Sequence, residues 1–237
     1  MFYNLHTHKK TQLSDVLEIV NQYPKEFDNN VSFFSIGIHP WHINPQSIDE
    51  ELNVIDEKLQ LNNCLALGEC GLDKRIETPI ELQLQVFEKQ LLLAKKHKKP
   101  VILHCVSAYQ EVIKVKKSMK IETPMIIHGF SKNWHVAKSL LDNGFYLSFG
   151  KYLLRNPELS SVFNQVPNDR FFLETDTVEE TIIEVYKKAL EIKNSDMEKQ
   201  VEDNFRTVFS YLKHKKLKFR EWQFGKKERN YYLKQKD

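Results

Sequence analysis

The sequence predicts an α/β fold, a (β/α)8 barrel of the TIM type with shortened early crossovers. Short apolar runs recur along the chain, each the length of a buried strand. Longer amphipathic segments separate most of them, the alternation expected of parallel βα units. The 237 residues fit one domain of barrel size, and no internal repeat, low-complexity tract or linker divides them.

The runs, in order, are FYNLHTH (2–8), VLEIVN (16–21), FFSIGIH (33–39), CLALGE (64–69), VILHC (101–105), MIIHG (125–129), FYLSFG (145–150) and FFLETD (171–176). The second is the least regular, with apolar and polar residues mixed. The connections on either side of it are too short for the full crossover helices that parallel neighbours normally need, so the first quarter of the barrel is expected to be trimmed. Helices are expected over Thr78 to Lys98, Ala108 to Met119, Trp134 to Asn143 and Val178 to Lys193. In the first of these, Leu82, Gln85, Val86, Lys89 and Leu93 run at helical spacing, and Pro79 stands near the start, where proline is favoured.

Hydrophobic residues make up 41% and charged residues 28%, as in ordinary globular proteins, and a net charge of +3 is too small to imply a nucleic-acid partner by itself. From Lys213 onward the character changes: ten Lys or Arg and three acids are interleaved with Phe219, Trp222, Phe224, Tyr231 and Tyr232. The expected plan is a barrel over 1–212 and a basic, aromatic extension over 213–237 packed on or flanking it. Contact with a nucleic-acid strand is the alternative role for that extension. Cys64, Cys70 and Cys105 form no paired framework or zinc-ribbon spacing, which fits a reducing compartment. No signal-like start and no apolar run near ~18 residues is present, so a cytoplasmic protein without a membrane span is expected, as a monomer or weak oligomer.

The chemistry lies where the strands end. His6 and His8 are two apart on the first strand, so their imidazoles face one point. At the C-terminal end of a barrel strand they enter the usual active-site mouth. Four further runs end in a potential ligand: Glu69, His104, His128 and Asp176. Packing does not explain this, because a buried unpaired carboxylate costs several kcal/mol unless it is paired or bound to metal. Six ligands exceed the need of one tetrahedral zinc and suit two divalent ions about 3.5–4 Å apart, a spacing that activates water and stabilises entering and leaving oxygens. Glu69 is able to bridge them with its two oxygens, and Asp176 to act as both ligand and proton acceptor. Both are therefore candidate catalytic residues.

The stretches NLHTH, SIGIHPW, ALGECGLD, QLQVFEKQLLLAKKHKKPVILHC, IIHGFS, YLSFG and FFLETD, in that order from residue 4 to 176, resemble the TatD-related hydrolase family, a branch of the amidohydrolase superfamily. NFRTVF (204–209) is similar to that family's terminal helix. The resemblance implies a two-metal site, with His6, His8, Glu69 and Asp176 serving one ion and Glu69, His104 and His128 the other. It also implies metal-dependent deoxyribonuclease activity, and it gives His39, in GIHPW, a place near the site for substrate phosphate or for support of the ligands. Magnesium, manganese and zinc all suit the donor set.

The chain departs from the family pattern in several places. Asn4 stands where the first motif often begins with Asp. Val106 follows the His104-Cys105 pair where an Arg is common, so a group able to hold phosphate is missing there. After Asp176 the chain runs TVEETIIEVY and is expected to enter a helix directly, without the usual Pro-containing substrate loop. The metal ligands are intact and the substrate wall is expected to be remodelled.

Other features read as structure. Gly68 and Gly71 match no phosphate-binding loop and mark a turn passing close to the metals. Cys70 and Cys105 each follow a ligand and point away from it. Trp41 and His42 line the mouth or pack on the surface. Three readings follow: a deoxyribonuclease acting on single-stranded DNA or DNA ends, a hydrolase of a small ester, lactone or amide, and a non-catalytic protein with structural metals. A purely structural site needs neither an open position nor a base, which disfavours the third.

Overall fold

Eight parallel strands form one sheet whose spatial order is the sequence order. The computed structural model describes residues 1–11 and 13–209. The strands are β1 (Phe2–Thr7), β2 (Val16–Gln22), β3 (Phe34–Ile36), β4 (Cys64–Asp73), β5 (Val101–Val106), β6 (Met125–Ile127), β7 (Phe145–Phe149) and β8 (Phe171–Leu173). The ring closes just beyond β8, where the Asp176 N–H donates to His6 O at 2.9 Å and the His8 N–H donates to Asp176 O at 3.1 Å. The expected (β/α)8 barrel is therefore the observed fold.

The helices are α1 (Ile48–Lys58), α2 (Ile80–His97), α3 (Tyr109–Ser118), α4 (Trp134–Asp142), α5 (Lys151–Arg155), α6 (Pro157–Gln165), α7 (Ile182–Lys193) and α8 (Met197–Val208). Among the described residues, no α-helix joins β1 to β2 or β2 to β3. The second of these links holds only a short 3-10 helix at Pro24–Glu26, which is the trimming the sequence indicates. Buried apolar residues from all eight strands fill the barrel and the layer beneath the helices. Phe205 of α8 packs its ring against Tyr3 of β1 and Phe172 of β8, at centroid distances of 4.8 and 5.2 Å, covering the seam where the barrel closes.

Several local expectations differ from the structure. GECGLD is not a turn: β4 runs through it to Asp73. The glycines make that course possible by close approach. A Cβ on Gly71, whose φ is +140°, would stand 2.0 Å from His104 O, and one on Gly68 (φ +139°) would stand 2.4 Å from Ile102 O. Helix α2 buries Gln83, Val86, Phe87, Gln90, Leu91 and Ala94, while Gln85 and Lys89 of the expected stripe face solvent. Gln83 and Gln90 are inside because their amides serve backbone groups. Gln83 accepts from the Asp73 N–H and donates to Asp73 O, and Gln90 accepts from the Ile38 N–H and donates to Ile38 O.

After Asp176 the chain does not enter a helix directly. Residues 177–181 intervene, and α7 begins at Ile182 behind a capping box between Thr181 and Glu184. The expected boundary at residue 212 and the segment 213–237 lie outside the described residues. Among the described residues, no helix is long and apolar enough to cross a membrane.

Candidate metal centre

The seven residues singled out from the sequence, His6, His8, His39, Glu69, His104, His128 and Asp176, converge at the C-terminal ends of the strands. Glu69 is at their centre, 3% exposed, with its backbone N–H donating to Asn21 Oδ1 at 2.8 Å. Its two oxygens face different partners. Oε2 is 3.3 Å from His6 Nε2 and 3.4 Å from His8 Nε2, and both of these nitrogens face Asp176 Oδ1, at 3.9 and 3.7 Å. Oε1 is 2.9 Å from His104 Nδ1, 2.8 Å from His128 Nε2 and 3.2 Å from His39 Nε2.

These separations fit metal coordination. With ligand bonds of about 2.0–2.2 Å, two donors on one ion stand about 3.3–3.6 Å apart at a tetrahedral angle and about 3 Å apart at a right angle. The His6, His8, Glu69 Oε2 and Asp176 Oδ1 set is close to the first value, and the Glu69 Oε1, His104 and His128 set is close to the second. His6 supplies the chemical argument. It is fully buried, and neither ring nitrogen has a hydrogen-bonding partner among the described residues, although Nε2 faces two carboxylates. A cation between them would satisfy that lone pair.

Residues outside the expected set hold the histidines in place. His104 Nε2 is 3.2 Å from Asp73 Oδ2, and His128 Nδ1 is 3.4 Å from Glu174 Oε1. Each carboxylate favours a proton on the outer nitrogen and frees the lone pair of the inner one, a common arrangement around ligating histidines. Asp73 also accepts from Trp41 Nε1 at 2.8 Å and from the Arg75 N–H at 2.8 Å. Glu174 accepts from the Gly129 N–H at 2.6 Å. Tyr23 OH stands 3.5 Å from His8 Nδ1.

His39 is different. Its Nδ1 accepts the Trp41 N–H at 3.1 Å, so the neutral ring carries its proton on Nε2 and directs it at Glu69 Oε1. Burial lowers its pKa, which keeps the ring neutral. Although His39 clusters with Glu69 and His104, no Nε2 lone pair remains for a metal, and its contribution is to hold Glu69.

No sequence pattern points to Lys151, the first residue of α5. Its Nζ donates to Asp176 Oδ2 at 2.9 Å. It places a cation at the site that lacks one at Val106. Asn4 pairs reciprocally with Thr175, its Nδ2 donating to Thr175 Oγ1 at 2.9 Å and its Oδ1 accepting the Thr175 N–H at 3.0 Å. An Asp there would lack the donor, which accounts for Asn at this departure.

The electrostatics follow from burial and histidine neighbours. Burial pushes the Glu69 carboxyl up, but His128, His104 and His39 hold it well below the usual range. Burial opposes charge on His128, yet Glu69 and Glu174 hold its pKa well above the ordinary value. Burial also pushes Asp176 up, and His128, His6 and Lys151 bring it below normal. Cys70 and Cys105 are buried, and burial raises both thiols, Cys105 to about 12, so neither is a nucleophile at neutral pH.

The sequence matches the family described as TatD related DNase over residues 2–210. An uncharacterized metal-dependent hydrolase of Buchnera aphidicola (BU355) is 31% identical over 157 residues, covering 62% of this chain and 60% of that protein. The 3'-5' ssDNA/RNA exonuclease TatD of Erwinia tasmaniensis is 29% identical over 166 residues, covering 68% of this chain and 61% of that one. The chain thus spans less than two thirds of the length of these curated relatives. In fold it is similar to the crystal structure of YJJV, a TatD homologue from Escherichia coli, with a TM-score of 0.75, 20% identity, and coverage of 88% of this chain and 98% of that one.

Proposed function

The chain belongs to the TatD related DNase family, and from that membership we propose that it is a metal-dependent hydrolase, a deoxyribonuclease that cleaves phosphodiester bonds at a two-ion site. The observation that carries this reading is the division of Glu69, one oxygen toward His6 and His8 and the other toward His104 and His128. We assign His6, His8, Asp176 Oδ1 and Glu69 Oε2 to one divalent ion, and His104 Nδ1, His128 Nε2 and Glu69 Oε1 to the other. Such ions supply Lewis acidity when bound, making water a better nucleophile and drawing charge from the entering and leaving oxygens.

The side chains supply the rest. Asp176 is held ionised by His128, His6 and Lys151; its Oδ2 would accept a proton from the water that attacks phosphorus and return it to the sugar oxygen that departs as its bond to phosphorus breaks. Lys151 orients that carboxylate and offers its ammonium to a non-bridging phosphate oxygen. His39 keeps Glu69 Oε1 directed into the site through Nε2–H, and Asp73 and Glu174 fix the tautomers of His104 and His128. The nuclease named among the relatives adds support to phosphodiesters as substrate.

The test is hydrolysis of single-stranded DNA labelled at the 5′ or the 3′ end, with magnesium, manganese or zinc, against EDTA and Asp176→Asn controls. Metal-dependent cleavage lost in both controls is expected, and the label pattern gives the polarity. Intact DNA with every metal overturns the nuclease reading and moves the search to small esters, lactones and amides.

A further inference from the structure

Among the described residues only two Phe, Trp or Tyr side chains are exposed, Trp41 at 59% and Tyr152 at 42%. Both stand at the catalytic mouth. Trp41 follows β3 and presents its ring to His39 and His104 at centroid distances of 5.0 and 5.6 Å, with interplanar angles of 86° and 76°. Tyr152 follows β7, next to Lys151, whose Nζ reaches Asp176 and stands 5.4 Å from the Tyr152 ring. Trp41 thus stands on the His104 side of the ligand cluster, beside the ends of β4 and β5, and Tyr152 on the side of Lys151 and Asp176.

The exposed Trp41 indole is immobilised, its Nε1–H held by the buried Asp73 carboxylate. Aromatic surface fixed in place before binding loses little rotamer freedom when a flat ligand stacks on it. The cations of the same rim suit a polyanion. Arg75 lies just past β4 and Lys132 follows β6, and neither has an ion-pair partner among the described residues. Flat apolar faces beside unpaired cations are what single-stranded nucleic acid uses, because its bases are free to stack while its phosphates track positive charge. A duplex keeps its bases stacked internally and has none to offer.

We propose that Trp41 and Tyr152 are the two base-stacking platforms of a single strand that crosses the mouth, one on each side of the scissile phosphate. The proposal rests on the nuclease reading and adds to it the residues that select unpaired strands.

The test compares steady-state hydrolysis of a twelve-residue deoxythymidine oligomer by the full chain, Trp41→Ala and Tyr152→Ala, with the metal that supports turnover. Each variant is expected to raise KM by between about 5- and 150-fold at nearly unchanged kcat, as the loss of one base stack predicts. An oligomer with abasic residues flanking the cleaved bond should show the raised KM with the unsubstituted protein and little further change with either variant. Trp41→Phe keeps a stacking ring but loses the bond to Asp73 that fixes it, so its KM should lie between those of the parent and Trp41→Ala. A KM for Trp41→Phe as high as for Trp41→Ala would assign Trp41 to support of Asp73 and overturn the proposal. Equal KM values for parent and both Ala variants overturn it too, while leaving the nuclease reading in place. Absence of any DNA cleavage by the parent overturns both.

Discussion

Asp73→Asn tests whether the carboxylate behind His104 positions a ligand or only packs. Asp73 is 3% exposed and accepts three hydrogen bonds, from Trp41 Nε1 and His104 Nε2 on Oδ2 and from the Arg75 N–H on Oδ1. A carboxamide has one acceptor oxygen. Placed at Oδ2, it keeps Trp41 and His104 but turns its NH2 toward the half-buried Arg75 N–H, losing a hydrogen bond to a charged acceptor worth about 1.5–3 kcal/mol. The reverse orientation loses two acceptors and costs more. The metal-free protein should therefore be less stable by about 2 kcal/mol, read as a lower urea midpoint. His104 Nε2–H would also face a neutral acceptor, and such changes behind a ligating histidine cost about 10- to 100-fold in metal affinity. Isothermal titration should resolve this as one weakened binding event, because His6, His8 and Asp176 do not touch Asp73. Two unchanged events, or two weakened equally, would refute the assignment of Asp73 to His104 alone.

Lys151→Met removes the ammonium 2.9 Å from Asp176 Oδ2. A charge-assisted bond of this kind is worth about 1.5–3 kcal/mol, so kcat/KM for DNA should fall roughly 10- to 100-fold, with a smaller loss for an uncharged ester; an equal loss on both substrates would argue against a role at the phosphate. Gly71→Ala should destabilise by on the order of 4 kcal/mol or more, since its Cβ would meet His104 O at 2.0 Å on a left-handed backbone, and a wild-type denaturation midpoint would contradict the close approach of β4 and β5. Metal binding should release protons. The raised pKa of His128 means that the metal-free protein holds that proton at neutral pH, so affinity should strengthen as pH rises toward the folded pKa of His128. Titration in two buffers of different ionisation enthalpy measures the release, and a value near zero at pH 7 would refute the raised pKa.

The barrel was legible because strand endings carried two signals at once. Apolar runs marked the strands, and a titratable residue closing each of several runs marked the face on which they meet. The two-residue spacing of His6 and His8 gave their common direction directly. The same rule was available for Glu174, two residues before Asp176, which turns out to face His128. Elsewhere the linear signal failed for physical reasons. The glycines in GECGLD read as a turn, whereas they let β4 pass close to β5 and carry Asp73 to His104. Apolar periodicity does not reveal the inner face of α2, because Gln83 and Gln90 are buried for their hydrogen bonds. After β7, two short helices break at Asn156, where Asn caps α6 and Pro157 occupies its first turn. Lys151 was invisible because nothing in sequence connects it to the position it serves: Val106 and Lys151 lie on different strands' ends and meet one function only in space.

Formal charge at the centre links these residues to the substrate. Glu69, Asp73, Glu174 and Asp176 contribute four negative charges and Lys151 one positive charge, with the histidines counted neutral as metal binding requires. Three negative charges in a largely buried cluster would repel a phosphodiester, and a single divalent ion would still leave the balance negative. Two divalent ions bring it to one positive charge, which matches the single negative charge of a phosphodiester linkage. Removing Lys151 takes that balance to zero, so its loss should bear on anionic substrates first. A neutral ester or lactone would gain nothing from the same balance. On the proposed two-ion reading, the location of Lys151 would therefore bear on substrate choice as much as the proposed metal ligands: without it the centre would be suited to hydrolysis in general, and with it the centre would have a charge suited to phosphodiesters.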